Sequence, residues 1–429
     1  MDILVIGSGG REHALCWALQ KEQAHQIFCA PGNAGIAEIA RCVPLNATDV
    51  RALADFAEQE KIALAVVGGE APLAAGVADE FAARSLAIAG PTKDAARLES
   101  SKVFAKAFMV RHGIPTARFR VADSVSEARK ILQSGEFRET ISGEAGVVIK
   151  ADGLAGGKGV TVARTRAEAE AAIGRLMEDG EKPGTAGGRV VIEEALAGPE
   201  ASLLIFTDGR DYQLMPAARD HKRVGEHDTG PNTGGMGAIT APEVLDKEMA
   251  KRVVREIVEP TLEGARREGF PFRGILYFGL MLTSEGPCLL EYNVRFGDPE
   301  AQAILLRFDG DLAEVFDGVA HKNLAGKSVR WSNDASACIV LAARGYPNEV
   351  ETGAHIEGLE QARQTSGVQI FHSGTSRTRE GIWMTAAGRV LGVAAAHPKL
   401  EGALQCCYQA IDHIRWEGMH YRHDIGQFA

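Results

Sequence analysis

The chain has 429 residues, enough at roughly 150 residues per domain for about three domains, each with its own core. Its 47 basic and 57 acidic residues leave a net charge of −10. That surface lacks the basic footprint that nucleic-acid or anionic-membrane binding needs, so phosphate is expected only in a local basic pocket. The most apolar stretch, 62–83, is interrupted by Glu70, Pro72 and Asp79, and the apolar run before Gly7 is too short for a secretion signal, so neither a membrane span nor a leader is expected. Seven sparse cysteines without a Cys-x-x-Cys spacing read as reduced thiols, which places the chain in the cytoplasm as an expectation.

From residue 1 to about 101, short apolar runs (Ile3 to Ile6, Ile27 to Ala30, Leu64 to Val67, Leu86 to Ala89) alternate with helical stretches such as Glu12 to Gln20 and Val50 to Glu60. This alternation predicts an α/β doubly wound parallel sheet, whose ligands bind where the loops after the strands converge. The first such loop, Gly7-Ser-Gly-Gly-Arg-Glu12, opens a helix, and its amides together with Arg11 suit an anion. It departs from a dinucleotide fingerprint: Glu12 stands where that pattern wants glycine, and the second strand ends Cys29-Ala-Pro-Gly without a ribose-binding acid. A dehydrogenase is therefore disfavoured.

A second region, about 102–315, opens with a helix over Ser101 to His112. Within it, Val147 to Val162 reads as two strands joined by a loop containing Gly153, Gly156, Gly157, Lys158 and Gly159, with Lys150 on the first strand. Asp152 and Gly159 break the P-loop pattern, but the loop amides can still close over phosphates. Residues 179–188 look like a surface loop. Arg189 to Leu196 is a strand ending in Glu193 and Glu194, with Glu200 beyond a Gly-Pro turn, and these acids suit an adenine amino group or ribose hydroxyls. Asp220 to Gly237 is a long polar, glycine-rich connection in which Lys222 and Arg223 are candidate phosphate ligands and His221 and His227 candidate bases.

The strongest local signal is Leu289-Leu-Glu-Tyr-Asn-Val-Arg-Phe-Gly-Asp-Pro-Glu300. Glu291 and Asn293 alternate onto one face of a strand and offer the hard oxygen ligands that Mg²⁺ takes beside nucleotide phosphates. Arg295, two residues on, could neutralise a phosphoryl group in transfer, or simply pair with Glu291. From about 330 the chain offers strands at Ala335 to Ala342, Val368 to Phe371 and Val390 to Ala395 and a closing helix from Leu400 to Ile414, a small α+β domain. No Gly-x-Ser-x-Gly, His-Glu-x-x-His or cysteine-base pair is present, so the chemistry reads as positioning and electrostatics around a metal-bound nucleotide.

Together these segments resemble the ATP-grasp superfamily, and within it the glycinamide ribonucleotide synthetase family, over nearly the whole chain. The resemblance rests on Gly9-Gly-Arg-Glu-His-Ala14, Ala30-Pro-Gly-Asn-Ala-Gly35, Ile149-Lys-Ala-Asp-Gly-Leu-Ala155, Asp220-His-Lys-Arg-Val-Gly225, Asp228-Thr-Gly-Pro-Asn-Thr-Gly-Gly-Met-Gly237 and Arg295-Phe-Gly-Asp-Pro-Glu-Ala-Gln302. It implies an amino-terminal domain over 1–101, an ATP-grasp domain over 102–315 with a lid at 115–192, and a carboxy-terminal domain over 328–429. Lys102 and Lys150 would contact ATP, the 153–159 loop would cover its phosphates, and Glu193, Glu194, Ala195, Leu196 and Glu200 would hold adenine and ribose. Glu291 and Asn293 would bind Mg²⁺ or Mn²⁺, although the preceding strand, Gly279-Leu-Met-Leu282, supplies no further acid. Gly10, Arg11, Glu12, Asn33 and Glu70 would receive 5-phosphoribosylamine, with Lys222 near its phosphate and Asp220 and Gly297 close by. Arg295, Lys222 and Asp298 would carry the catalytic work, Asp298 as partner of the glycine ammonium. The implied partners are the two small molecules, glycine and 5-phosphoribosylamine, and transient contact with the amidotransferase that supplies the latter. The alternatives are another ATP-grasp ligase of purine synthesis, using bicarbonate rather than glycine, and a nucleotide-binding regulator without catalysis.

Overall fold

The computed structural model describes residues 1–21, 25–137, 146–155, 159–177 and 188–427. Its amino-terminal sheet has five parallel strands in the spatial order Arg41–Cys42, Gln26–Pro31, Asp2–Gly7, Leu64–Val67, Ile88–Ala89. Ile3 to Ile6 and Leu64 to Val67 are buried throughout, as a parallel sheet covered on both faces requires. The strand order reverses between Asp2–Gly7 and Leu64–Val67, so the loops beyond Gly7 and Val67 face each other across the switch point. The helix Gly10–Gln20 is buried on nearly every side because it is packed between this sheet and the helix Glu300–Leu306.

The predicted lid is a four-stranded antiparallel sheet in the order Phe119–Ala122, Val190–Glu194, Val147–Ala151, Val160–Ala163. Helices Val125–Gln133 and Arg166–Met177 cover it through Ala128, Ala169, Ala172 and Ile173. The first of these helices starts at Ser124, whose hydroxyl accepts from the Glu127 amide at 3.2 Å. Of the surface loop expected at 179–188, all but Gly188 lies outside the described residues.

A nine-stranded antiparallel sheet forms the rest of the scaffold. Its main path runs Pro287–Asn293, Gly274–Leu282, Glu200–Thr207, Ala218–Asp220, Gly237–Thr240, Ala335–Ala342, Arg389–His397, Val368–His372, with Tyr212–Leu214 paired to Glu200–Thr207 off that path. The strands expected from 330 onward are therefore present, but they do not form a sheet of their own. Ala335–Ala342 pairs directly with Gly237–Thr240, because an uncovered Gly237–Thr240 edge would leave backbone groups unsatisfied. The connection Asp220 to Gly237 is likewise more ordered than its polar composition suggests: Arg223–Gly225 pairs with Thr229–Asn232. The buried Arg422 side chain pins that hairpin to the carboxy-terminal tail, pairing with Asp228 and Asp424 at 2.8 Å each.

Phe206 lies in the buried cluster shared by the amino-terminal sheet and the central sheet, stacked on Trp331 and edge-on to Phe296 and Phe316. Phe206→Ala should cost about 3–5 kcal/mol, whereas Val110→Ala, at 62% exposure, should stay within about 0.5 kcal/mol. Urea-unfolding midpoints of the two variants check this, and equal shifts would contradict the assigned core.

Candidate functional site

The strand Pro287–Asn293 carries a bulge: Leu289 faces Leu280 and Glu291 faces Gly279, leaving Leu290 without a partner between them. The Leu290 carbonyl is thereby turned toward Lys150, whose Nζ donates to it at 3.0 Å. Gly279 makes room for Glu291, since a Cβ there would stand 3.2 Å from Glu291 Cγ. Asn293 Oδ1 accepts from Arg295 Nη2 at 3.1 Å. Burial would raise the Glu291 carboxyl, yet Lys222, Lys150, Lys102 and Arg295 around it hold it below the usual carboxylate range. Glu291 and Arg295 do not form an ion pair of their own: Arg295 pairs with Glu99 at 2.7 Å and Glu70 at 3.2 Å. Among the described residues no group of three or more His, Cys, Asp or Glu could hold a metal ion, so any ion here would be held by Glu291 and Asn293 together with ligands from a substrate or water.

On the lid side, Glu193 is buried between two ammonium groups, Lys150 at 3.0 Å and Lys106 at 3.1 Å, both on Oε2. Among the described residues its Oε1 has no hydrogen-bond partner, an acceptor left open beside the two ammonium groups. Burial pulls the Lys106 ammonium down to about 8, with Glu193 opposing. Lys106 also donates to Thr116 Oγ1 at 2.7 Å, and that hydroxyl donates to Leu289 O at 2.6 Å, tying the entry of the lid to the bulged strand. Sequence reading missed Lys106 although it lies four residues beyond Lys102 on the same helix, a spacing that places both on one face.

Glu193 and Glu194 point to opposite faces of their strand, and Glu194 pairs with the exposed Arg118 at 2.6 Å. The structure thus keeps the two acids apart, with Glu193 alone in the lysine cluster, while Ala195 and Leu196 follow half-buried at the strand end. Lys102 donates to Gly153 O at 2.9 Å, and Asp152 anchors the glycine loop through Ser101 and Arg189. Gly159 closes this loop against Ala155, whereas Gly156, Gly157 and Lys158 lie outside the described residues. Glu200 pairs with Lys222 at 2.7 Å.

At the switch point of the parallel sheet, Glu12 is folded inward. It accepts from the Gly9 amide at 2.5 Å and from Arg11 Nε at 2.9 Å, and a Cβ on Gly68 would lie 2.1 Å from its Oε1. Its carboxylate is occupied by the loop itself, which holds Arg11 and Gly10 in place. Arg11 Nη1 donates to Phe296 O at 2.9 Å. Burial would raise the Glu70 carboxyl, but Arg295 and Arg11 hold it down at about 2. Asn33 bridges Ser8 O and His372 O at 2.7 and 2.9 Å.

Beside Arg295, Gly297 packs against Glu300, which accepts from Tyr277 Oη at 3.0 Å. Asp298 accepts from Gln302 at 2.8 Å and lies 3.3 Å from Arg389, a residue with no signal in the sequence. Among the described residues Asp220 has a buried Oδ1 without a partner, and burial together with nearby Glu300 pushes its carboxyl well above the usual range. His221, a candidate base, is instead held in the framework: its Nε2 accepts from the Gly426 amide at 3.0 Å, and burial together with Arg422 lowers it to about 4. His227 stands exposed on the hairpin turn.

A lid sheet over a lysine-lined cleft, closed by a strand carrying Glu291 and Asn293, defines an ATP-grasp protein. The biotin carboxylase of Campylobacter jejuni, solved as a β-γ-ATP complex, shares this fold at a TM-score of 0.70 and 16% identity, with 98% of this chain and 92% of that one covered. Residues 1–99, 100–301 and 336–428 match in turn the N domain, the ATP-grasp (A) domain and the C domain of phosphoribosylglycinamide synthetase. The phosphoribosylamine–glycine ligase of Mesorhizobium japonicum is 46% identical, covering 99% of this chain and 98% of that one. The crystal structure of the Thermotoga maritima phosphoribosylamine–glycine ligase superposes with a TM-score of 0.82 at 34% identity, covering 99% and 100%. The chain belongs to the phosphoribosylglycinamide synthetase family.

His13, lowered by burial to about 3, and His221, at about 4, are neutral in the fold and protonate near pH 6.5 once unfolded. Each therefore makes stability fall as pH drops below 6.5, until its folded value is reached. His221→Gln, which keeps an acceptor for Gly426, should reduce the loss of stability between pH 7 and pH 5 by about 1–2 kcal/mol in urea titrations.

Proposed function

We propose that this protein joins glycine to 5-phosphoribosylamine at the expense of ATP, giving glycinamide ribonucleotide, ADP and phosphate, in the cytoplasm, as a step of purine synthesis. The observation that carries this reading is the convergence of Lys102, Lys150, Lys222 and Arg295 on Glu291 within a family-wide match of all three domains. In an acidic protein such a cluster suits a polyphosphate, and its position between the lid and the parallel-sheet crevice suits a second, phosphorylated substrate.

Lys102 and Lys150 bind the ATP phosphates, with the loop from Gly153 to Gly159 closing over them. Glu193 offers its open Oε1 to the adenine amino group, and Glu200 accepts from the ribose. Glu291 and Asn293 would hold the divalent ion, Mg²⁺ or Mn²⁺, which when bound supplies charge neutralisation at the phosphates. Gly10, Arg11, Asn33 and Glu70 receive the phosphoribosylamine, with Lys222 near its phosphate.

A carboxylate oxygen of glycine attacks the γ-phosphorus, forming an O–P bond as the bond to ADP breaks. Arg295 balances the charge on the transferring group. The amine of phosphoribosylamine then attacks the acyl carbon of glycyl phosphate; an N–C bond forms, the C–O bond to phosphate breaks, and the amine proton passes to the departing phosphate. No covalent bond to the protein is needed, in keeping with a sequence that lacks the Gly-x-Ser-x-Gly and His-Glu-x-x-His patterns. Glycyl phosphate hydrolyses readily, so closure of the lid excludes water at the step where it matters.

ADP release measured with ATP and Mg²⁺, with and without glycine and with phosphoribosylamine generated in place from ribose 5-phosphate and ammonia, is expected to require both substrates. Bicarbonate-dependent release would favour another ligase of the superfamily, and release with neither substrate would overturn the assignment. Arg295→Ala should lower kcat by about 100-fold or more while ATP affinity changes far less. Equal losses in both would remove its transition-state role.

A further inference from the structure

We propose that Arg389, contributed by the carboxy-terminal region, is a positioning residue of the glycine subsite: it fixes the Asp298 carboxylate and clamps the turn at Gly234 beside it. The inference rests on the reading of Asp298 as partner of the glycine ammonium. Arg389 stands at a register shift in the pairing of Ala335–Ala342 with Arg389–His397, a kind of irregularity that re-aims a side chain. Its Nη1 donates to Gly234 O at 2.7 Å and to Asp298 O at 2.6 Å, and its Nη2 lies 3.3 Å from Asp298 Oδ2. One guanidinium thus joins the Thr-Gly-Gly-Met turn to the Gly-Asp-Pro-Glu loop, a task for a planar fork that an ammonium cannot copy. Tyr346, from the same region, grips Gly234 from the other side, its hydroxyl accepting from the Gly234 amide at 3.0 Å. The approach depends on glycine, since a Cβ on Gly234 would stand 3.1 Å from Arg389 Cζ.

Asp298 is faced by Arg389, Arg11 and Arg295, and Gln302 donates to its Oδ1. Burial would raise its carboxyl, yet these groups, Arg389 foremost, hold it below the usual carboxylate range. An ionised carboxylate with its backbone and side chain both pinned by one arginine is preorganised for an ammonium, and Arg295, which also acts electrostatically on Asp298, offers a positive charge to the opposite pole of a zwitterion. Nothing in the carboxy-terminal sequence hints at this, because Arg389 reaches the loops only after its strand has joined the central sheet.

In the full-length protein, Arg389→Met is expected to raise KM for glycine by about tenfold or more, with KM for ATP within about twofold of wild type. The acid limb of kcat/KM for glycine should move to higher pH, because Asp298 without Arg389 takes up its proton more readily. Arg389→Lys restores the charge but not the fork, so it should return the pH limb while recovering only part of KM. It also carries the test should the methionine variant fold poorly. Parallel rises in KM for glycine and ATP, with no movement of the pH limb, would reduce Arg389 to a structural residue and overturn the proposal. Asp298→Asn separates the two readings: a raised glycine KM there with none in Arg389→Met would overturn the clamp alone, and an unchanged one would overturn the Asp298 reading and the clamp with it.

Discussion

Four cationic side chains converge on Glu291, and without compensation they would repel one another strongly in a partly buried cleft. Three of the four are paired with carboxylates, and Lys102 donates to Gly153 O. Lys150 shares Glu193 with Lys106, Lys222 is paired with Glu200, and Arg295 lies between Glu70 and Glu99. These anions come from the lid strand, the central sheet and the amino-terminal domain, so the site exists only when all three are docked. The balance also leaves spare capacity. Glu291 is held below the usual carboxylate range by the surrounding cations, and among the described residues Glu193 keeps one buried oxygen open. A polyphosphate with its cation can enter such a site by adding to the balance of charge, without first breaking a core.

The same constraint explains why the molecule is not a string of three independent units. The nine-stranded sheet runs without a break from the bulged strand Pro287–Asn293 to Val368–His372, crossing from the ATP-grasp region into the carboxy-terminal region at Gly237–Thr240. The helix Gly10–Gln20 is clasped between the parallel sheet and the helix Glu300–Leu306, and Asn33 reaches His372 O. The lid has its own small core, which includes Ile149, Ile173, Ile192 and Phe137, and is tied to the rest through Thr116, Lys106, the Glu193 cluster, Lys150 on Leu290 O, and Ser101 and Lys102 on Asp152 and Gly153. An element with its own core can move as a body, which suits a reaction whose acyl phosphate must be kept from water.

Much of this was legible in the sequence. The βαβ alternation up to residue 101, the strand pair around Lys150, and Glu291 and Asn293 on one strand face all hold, because period-two patterning and glycine placement are local properties. The sequence also lacks the Gly-x-Ser-x-Gly and His-Glu-x-x-His patterns, which points to a chemistry of charge and position. It could not show which of the paired acids, Glu193 or Glu194, faces the cleft, that the Glu12 carboxylate is spent on its own loop, or that His221 is a framework residue. Each of those depends on which partner lies across the strand or loop.

The composition and motifs by themselves determined the class of fold, an acidic protein with one basic pocket, and the family resemblance. The tertiary structure alone decided the edge pairing that merges the carboxy-terminal strands into the central sheet, and with it the approach of Arg389 and Tyr346 to Gly234. Patterning records which face of an element is buried, but not what is buried against it. Charged partners 91 and 225 residues apart, Arg389 with Asp298 and Arg295 with Glu70, leave no periodic trace along the chain. They are selected only when the folded backbone brings their loops within hydrogen-bond range.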